Sequence, residues 1–281
     1  MARKPQIHWR ANGHGPALLL LNGWSTSGLA WPSAWLRELR RSHRVIRPDN
    51  RGTGYSRFAP IPFTIGDLAE DVIDVLDDAG VETATVLGLS MGGMIAQELA
   101  IRAPERIDGL VLAGTRPPGP TQGPMLSPGI AWQLMRPAGA RGDLAAYFRK
   151  LWTAAAAPGF AERSPELVEE LVRQGVERPT PRSLMMQQMR AATGWGRPQR
   201  LARIQAPTIV VHGLQDPLVD VRHARRLAGL IPGSRLLELP GVGHLVPQEA
   251  PDELVECIRT VSGSGRAAAA AVDDDAESRV A

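Results

Sequence analysis

The feature that most constrains the fold is a tight turn at residues 88–92, which read Gly-Leu-Ser-Met-Gly. The turn follows the run Thr83–Leu87, which is typical of a buried strand, and precedes residues 93–100, which have helical apolar spacing. The glycines on either side of Ser90 allow backbone segments to approach closely. This G-x-S-x-G pattern predicts a strand–turn–helix unit that presents a serine hydroxyl at the end of a strand.

Short apolar runs alternate with segments of helical spacing along most of the chain. The runs predict strands over 18–21, 44–47, 83–87, 109–113, 207–213 and 235–239. The helical patterns between them cover 31–41, 65–79, 93–100, 222–230 and 251–261. This alternation indicates the α/β class, with a mostly parallel central sheet flanked by helices.

A long segment without strand signals separates the strands at 109–113 and 207–213. It contains helical patterns at 129–135, 144–154, 165–176 and 181–192. We therefore predict a helical cap over 116–204, inserted into a core made of residues 1–115 and 205–261. Residues 262–281 are rich in small residues and then acidic, so we predict a disordered tail.

Composition excludes several classes of protein. The 281 residues can bury a substantial core, and no apolar run approaches the ~20 residues of a membrane span. The start of the chain lacks a secretory signal, so we expect a cytoplasmic protein. The net charge of +3 comes without a nucleic-acid-binding module, and we predict no nucleic-acid partner. The sole cysteine, Cys257, excludes a disulfide framework and a cysteine-rich zinc site.

A serine hydroxyl is a weak nucleophile and needs a base that accepts its proton. His244 lies on a glycine-flanked loop after the last predicted strand, at the sheet edge where α/β proteins place their chemistry. Asp216 follows the strand at 207–213 and can orient the imidazole. The loop after the strand at 109–113 is another conceivable place for the acid of the triad, but it contains no carboxylate. The chain order serine, aspartate, histidine predicts Ser90, Asp216 and His244 as a catalytic triad. His212, which ends a strand, is interpreted as a core residue.

Acyl transfer also needs hydrogen-bond donors that face the developing oxyanion. The main-chain N–H of Met91 directly follows the serine. The loop after the strand at 18–21 offers a second donor in the N–H of Trp24, and Gly23 lets that loop bend close to the serine. We predict these two N–H groups as the oxyanion hole.

Three further segments carry a family resemblance. They are residues 19–23 (Leu-Leu-Leu-Asn-Gly), 49–56 (Asp-Asn-Arg-Gly-Thr-Gly-Tyr-Ser) and 212–218 (His-Gly-Leu-Gln-Asp-Pro-Leu). With the turn at 88–92, the chain resembles the α/β-hydrolase superfamily. Within it, the chain resembles capped esterases and lactonases such as the polyketide methylesterases and the 3-oxoadipate enol-lactone hydrolases. Asn22 stands where many relatives carry histidine. The resemblance implies that Asp49 and Arg51 are structural.

These features predict a serine hydrolase acting on a carboxylic ester or lactone of a medium-sized, largely apolar substrate. The candidate substrate-binding residues are Trp24, Trp132, Met135, Trp152, Met186, Met189, Leu218 and Leu245. Carbon–carbon bond hydrolysis and haloperoxidase-like perhydrolysis need the same triad, and a small-molecule receptor is a further alternative. We expect no cofactor and no metal, and the oligomeric state stays open between monomer and homodimer.

Overall fold

A seven-stranded sheet forms the centre of the structure, a computed structural model that describes residues 6–56, 61–119 and 143–262. The strands are β1 (Trp9–Asn12), β2 (Ala17–Leu21), β3 (Arg44–Pro48), β4 (Ala84–Leu89), β5 (Ile107–Ala113), β6 (Thr208–Gly213) and β7 (Arg235–Leu239). Their order across the sheet is β1-β3-β2-β4-β5-β6-β7. All neighbouring pairs are parallel except β1 and β3. The mostly parallel sheet confirms the predicted α/β class.

The edge strand β1 is the strand that the sequence pattern did not predict. It is four residues long, half-buried to exposed, and antiparallel to β3, with Trp9 opposite Pro48. A short edge strand of this kind has neither a continuous apolar run nor a clear alternation, which explains why pattern reading missed it.

Helices cover both faces of the sheet. They are α1 (Ser33–Leu39), α2 (Ile65–Asp78), α3 (Met91–Arg102), α4 (Leu144–Ala155), α5 (Phe160–Arg163), α6 (Pro165–Glu177), α7 (Arg182–Thr193), α8 (Val221–Leu230), α9 (Val246–Glu249) and α10 over 251–262. Apolar residues of α2, α3 and α8 pack on one face with Leu19 and Leu21. Those of α1 and α10 pack on the other face with Leu18 and Leu20. The four leucines are fully buried because alternate side chains enter opposite layers.

Helices α4 to α7 and a 3-10 helix at Pro198–Arg203 lie between β5 and β6, in the segment for which a cap was predicted. The predicted helices at 144–154, 165–176 and 181–192 are confirmed. Helices α4 and α6 pack together through Phe148, Leu171 and other apolar side chains. The predicted helix at 129–135 and the tail after residue 262 lie outside the described residues. The division into core and cap stays a prediction.

No helix within the described ranges combines the length and the apolar character that crossing a membrane requires.

Helix α3 begins so close to the end of β2 that Gly92 is sterically required. A Cβ atom at Gly92 would lie 2.5 Å from the carbonyl carbon of Leu21, and closer still to its oxygen. Both are main-chain atoms of Leu21 in the buried strand β2, so neither can move without displacing the strand. The approach sets the position of the turn at 88–92 relative to the loop after β2.

We therefore expect Gly92→Ala to lower the free energy of unfolding by about 3 kcal/mol or more, because the added methyl group overlaps main chain. Gly229→Ala is the matched control. Gly229 is exposed on α8, and a Cβ there meets nothing within 4 Å. That variant should be more stable by roughly 0.5–1 kcal/mol, since alanine favours a helix over glycine. Chemical denaturation measures both, and an unchanged midpoint for Gly92→Ala would contradict the steric argument.

Candidate active site

The turn between β4 and α3 holds Ser90 in a strained conformation. Its φ of 56° lies in the left-handed region, which costs a non-glycine residue roughly 1–3 kcal/mol. Gly88 makes the turn possible, because a Cβ there would lie 2.5 Å from the carbonyl oxygen of Gly92. The N–H of Ser90 donates to the carbonyl of Ala113 at 2.9 Å, and Thr115 Oγ1 donates to the carbonyl of Ser90 at 2.7 Å. These contacts place the serine at the carboxyl edge of the sheet.

The loop after β2 passes beside Ser90, because β2 and β4 are parallel neighbours. A Cβ at Gly23 would lie 3.3 Å from the Cβ of Ser90 and 3.8 Å from its Oγ. The N–H of Met91 is in the first turn of α3, where it has no intrahelical acceptor. Among the described residues, no turn or loop hydrogen bond uses the N–H of Met91 or of Trp24. Both N–H groups are thus without another acceptor among the described residues, and the loop that carries Trp24 passes beside Ser90 at Gly23.

The side chain of Asn22 holds this loop from within. Asn22 is buried, and its Nδ2 donates to the carbonyl of Ser27 at 2.5 Å. Asn50 Nδ2 donates in turn to the carbonyl of Asn22 at 3.2 Å. An asparagine at this position therefore orders the loop through local hydrogen bonds.

Asp216 and His244 are joined by a hydrogen bond of 2.7 Å between Oδ2 and Nδ1. The other carboxylate oxygen of Asp216 accepts from the N–H groups of Leu218 and Val219 at 2.8 and 2.9 Å. Both side chains are buried. The carboxylate is therefore fixed by main-chain donors on one side and orients the imidazole on the other.

Glu249 is a residue that the sequence analysis missed and that positions the loop of His244. Its carboxylate accepts from the N–H of Gly243 at 2.9 Å, of Leu245 at 3.0 Å and of Ala157 at 2.9 Å. Burial raises the pKa of Glu249, against the lowering effect of these three donors. It thus ties both neighbours of His244 to the end of α4. A carboxylate whose partners are main-chain groups carries no sequence motif.

His212 is fully buried, as predicted for a core residue. Its Nε2 donates to the carbonyl of Val219 at 2.8 Å and lies 3.5 Å from Oδ2 of Asp216. Burial lowers the pKa of His212, against the raising effect of the Asp216 charge. The ring supports the loop that carries the carboxylate.

Ser90, Asp216 and His244 all line one cavity of about 500 Å³. Its wall also contains apolar side chains from α3, α4, α6 and α7, among them Met94, Leu151 and Leu171. A volume of this size is typical of sites for small organic molecules.

Of the predicted substrate-binding residues, five line the cavity: Trp24, Trp152, Met189, Leu218 and Leu245. The prediction for Met186 is wrong. Its side chain is 59% exposed and does not line the cavity, although it is on the same helix as Met189, which does. Trp132 and Met135 lie outside the described residues.

The cavity also has a polar part that was not predicted. Arg116 and His223 both line it. The guanidinium of Arg116 is buried and donates to main-chain carbonyls, including that of Ala192 at 2.6 Å. Burial, and secondarily the charge of Arg116, lowers the pKa of His223. His223 is in the first turn of α8, and the sequence carries no signal that it faces a pocket.

Asp49 and Arg51 have structural roles, as the resemblance implied. Asp49 is buried and accepts from the N–H groups of Gly28 and Tyr55 at 2.7 and 2.9 Å. Arg51 forms a buried bidentate pair with Asp71, with nitrogen–oxygen distances of 2.6 and 2.7 Å. Both hold the loop after β3.

Cys257 is buried in α10, and burial raises the pKa of its thiol to about 11. A thiol in this state is a packing residue and not a nucleophile. Within the described ranges, no group of three or more histidine, cysteine, aspartate or glutamate side chains is arranged to hold a metal ion.

Fold and site geometry together match one class of protein. The family model described as alpha/beta hydrolase fold matches residues 16–251, and the chain belongs to this family. It is a hydrolytic enzyme.

Individual relatives narrow the class. The chain is 30% identical over 285 residues to rhodomycin D methylesterase DauP of a Streptomyces species, covering 92% of this chain and 96% of the relative. It is 30% identical over 246 residues to 3-oxoadipate enol-lactonase 2 of Acinetobacter baylyi, covering 88% of each chain. The crystal structure of the enol-lactonase from Burkholderia xenovorans superposes with a TM-score of 0.77 at 25% identity, covering 91% of this chain and 95% of that one. These similarities confirm the predicted resemblance to methylesterases and enol-lactonases.

Proposed function

We propose that this chain is a serine hydrolase that cleaves a carboxylic ester or lactone of a medium-sized, largely apolar substrate through an acyl-enzyme. The observation that carries the proposal is the 2.7 Å hydrogen bond between Asp216 and His244, in a cavity that Ser90 also lines. An aspartate–histidine pair that shares a cavity with a serine on a strained strand-to-helix turn is the arrangement that activates a serine hydroxyl.

The reaction begins when Oγ of Ser90 attacks the carbonyl carbon and its proton passes to Nε2 of His244. The bond to the leaving alcohol then breaks, and the alcohol takes the proton from His244. A water molecule gives a proton to the same nitrogen and attacks the acyl carbon. The bond from this carbon to Oγ of Ser90 then breaks, which releases the acid, and Oγ takes the proton back from His244. Asp216 bonds Nδ1 and thereby keeps Nε2 free to accept the proton, and it stabilises the imidazolium that forms.

The N–H groups of Met91 and Trp24 are the proposed oxyanion hole. Both are main-chain donors beside Ser90, so they need no particular side chain. The negative charge develops at the start of α3, where the helix dipole also favours an anion. The oxygen of the proposed tetrahedral intermediate would then lie between the turn at 88–92 and the loop after β2.

The substrate class follows from the wall of the cavity. Trp24, Trp152, Met189, Leu218 and Leu245 offer large apolar surfaces, which suit an apolar acyl or alcohol group. The volume of about 500 Å³ favours a medium-sized molecule. The relatives named methylesterase and enol-lactonase support an ester or a lactone as the reacting group.

Residues 116–204 are the proposed cap, and helices α4 to α7 belong to it. Side chains of α4, α6 and α7 form one side of the cavity, and those of the sheet-edge loops form the other. A wall contributed by an insertion shields the substrate from bulk solvent and sets which substrates fit.

Ser90→Ala should lower kcat by roughly 10⁵- to 10⁶-fold, because it removes the nucleophile. A fluorophosphonate probe should label the wild-type protein at Ser90 and leave the variant unlabelled, as read by mass spectrometry of the tryptic peptide. The far-UV circular dichroism spectrum and the Tm serve as controls and should be unchanged. Retained turnover, or labelling at another residue, would remove Ser90 from the mechanism.

Asp216→Asn should lower kcat by roughly 10⁴-fold, because an amide donor at this position favours the wrong imidazole tautomer. Asp143→Asn is the matched control. Asp143 is exposed, caps α4 and does not line the cavity, and asparagine is an equally good cap. Steady-state kinetics should show a change of only a few-fold for the control. Equal losses in the two variants would argue against Asp216 as the acid of the triad.

A panel of p-nitrophenyl esters of graded acyl length tests the substrate class. We expect kcat/KM to be highest for acyl chains of medium length and to fall for acetate and for dodecanoate, because much of the cavity wall is apolar and its volume is limited. A vinylogous diketone in the same panel tests carbon–carbon bond hydrolysis. Faster turnover of the diketone than of every ester would replace the ester proposal.

A further inference from the structure

The loop that carries the proposed donor of Trp24 adopts a conformation that it cannot hold alone. Ser25 has a φ of 62°, and among the described residues only Ser90 shares a left-handed conformation without being glycine. Such conformations persist where surrounding contacts enforce them. Because Trp24 directly precedes Ser25, the direction of its N–H depends on what enforces this turn.

The enforcing contacts come from the insertion. The N–H of Ser25 donates to Oε1 of Gln188 on α7 at 2.8 Å. The carbonyl of Ser25 accepts from Oγ1 of Thr180 at 3.1 Å. The indole Nε1 of Trp24 donates to the carbonyl of Met185 at 2.7 Å. Both main-chain polar groups of the strained residue are therefore bound by the segment around the start of α7.

Of these three contacts, the one made by Gln188 is best suited to position the loop. Its side chain is fully buried and does not line the cavity, so it cannot bind substrate directly. Its Nε2 has no hydrogen-bond partner in the described part of the chain. Turning the amide over would face two donors toward each other at Ser25, so the contact defines the orientation of the side chain.

We propose that Gln188 is a positioning residue for the oxyanion hole: by accepting the N–H of Ser25, it holds the N–H of Trp24 toward the oxygen of the tetrahedral intermediate. The inference rests on the proposed serine-hydrolase function and deepens it. It assigns to α7 a role in the chemical step, in addition to forming part of the cavity wall.

The neighbouring residue provides a matched control. Gln187 is on the same helix and is also buried, and its Nε2 donates to the carbonyl of Phe63 at 2.7 Å. It thus joins α7 to a different loop that does not touch Ser25. Replacing either glutamine by methionine keeps the volume similar and removes one buried hydrogen bond between α7 and the rest of the protein.

The experiment compares Gln188→Met, Gln187→Met and Gln188→Glu with the wild type on the best ester of the panel. For Gln188→Met we expect kcat to fall roughly 10- to 100-fold, with KM changed by less than about 3-fold, because a donor used mainly in the transition state is displaced. Gln187→Met should keep kcat within about 2-fold at a similar loss of Tm. Gln188→Glu should recover much of kcat, since a carboxyl oxygen can accept the same N–H.

A second readout separates the hole from general stability. A trifluoromethyl ketone binds as a hemiketal whose oxyanion occupies the hole. Its inhibition constant should rise for Gln188→Met by about the factor by which kcat/KM falls, and should stay unchanged for Gln187→Met. Equal kinetic losses in the two methionine variants, or an effect on KM alone, would overturn the role of Gln188. If the wild type neither hydrolyses any ester nor reacts with a fluorophosphonate, the proposed function itself fails, and this inference fails with it.

Discussion

The contact on which the rest of the site depends is the close approach of α3 to the end of β2. Gly92 permits it, because any side chain at this position would overlap the carbonyl of Leu21. The approach brings the start of α3, with Ser90 and Met91, next to the loop that carries Trp24. One steric condition between α3 and the end of β2 therefore positions both the nucleophile and the two proposed oxyanion donors.

A second set of interactions joins the loops of the site to the insertion. The N–H of His244 donates to the carbonyl of Ala155 at 2.9 Å, at the end of α4. Glu249 bonds the N–H of Ala157 together with both neighbours of His244. Gln188 bonds the loop on the opposite side of the cavity. The insertion thus contacts the loop of His244 and the loop after β2 through hydrogen bonds that use main-chain groups of both loops, in addition to forming a wall of the cavity.

Sequence patterns predicted the parts of this molecule that depend on local chemistry. The buried strands have an apolar periodicity, and the glycines around Ser90 and the residues past the strand ends have a fixed spacing. The structure places the turn of Ser90 and the loops of Asp216 and His244 at one edge of the sheet. Patterns could not predict which side of a helix faces a cavity, as Met186 shows, since this depends on the packing of the whole insertion. They also could not predict Glu249 or Gln188, because these side chains bind main-chain groups, which any sequence offers.

These tertiary contacts limit how the cavity can open. A displacement of α7 that widened the entrance would break the bonds of Ser25 to Gln188 and of the Trp24 indole to Met185. The left-handed turn at Ser25 would then lose its support, and the N–H of Trp24 would lose its direction. In the proposed mechanism, an open position of α7 and a competent oxyanion hole exclude each other. Movement of this helix would therefore couple substrate entry to the chemical step, since only the closed arrangement can stabilise the tetrahedral intermediate.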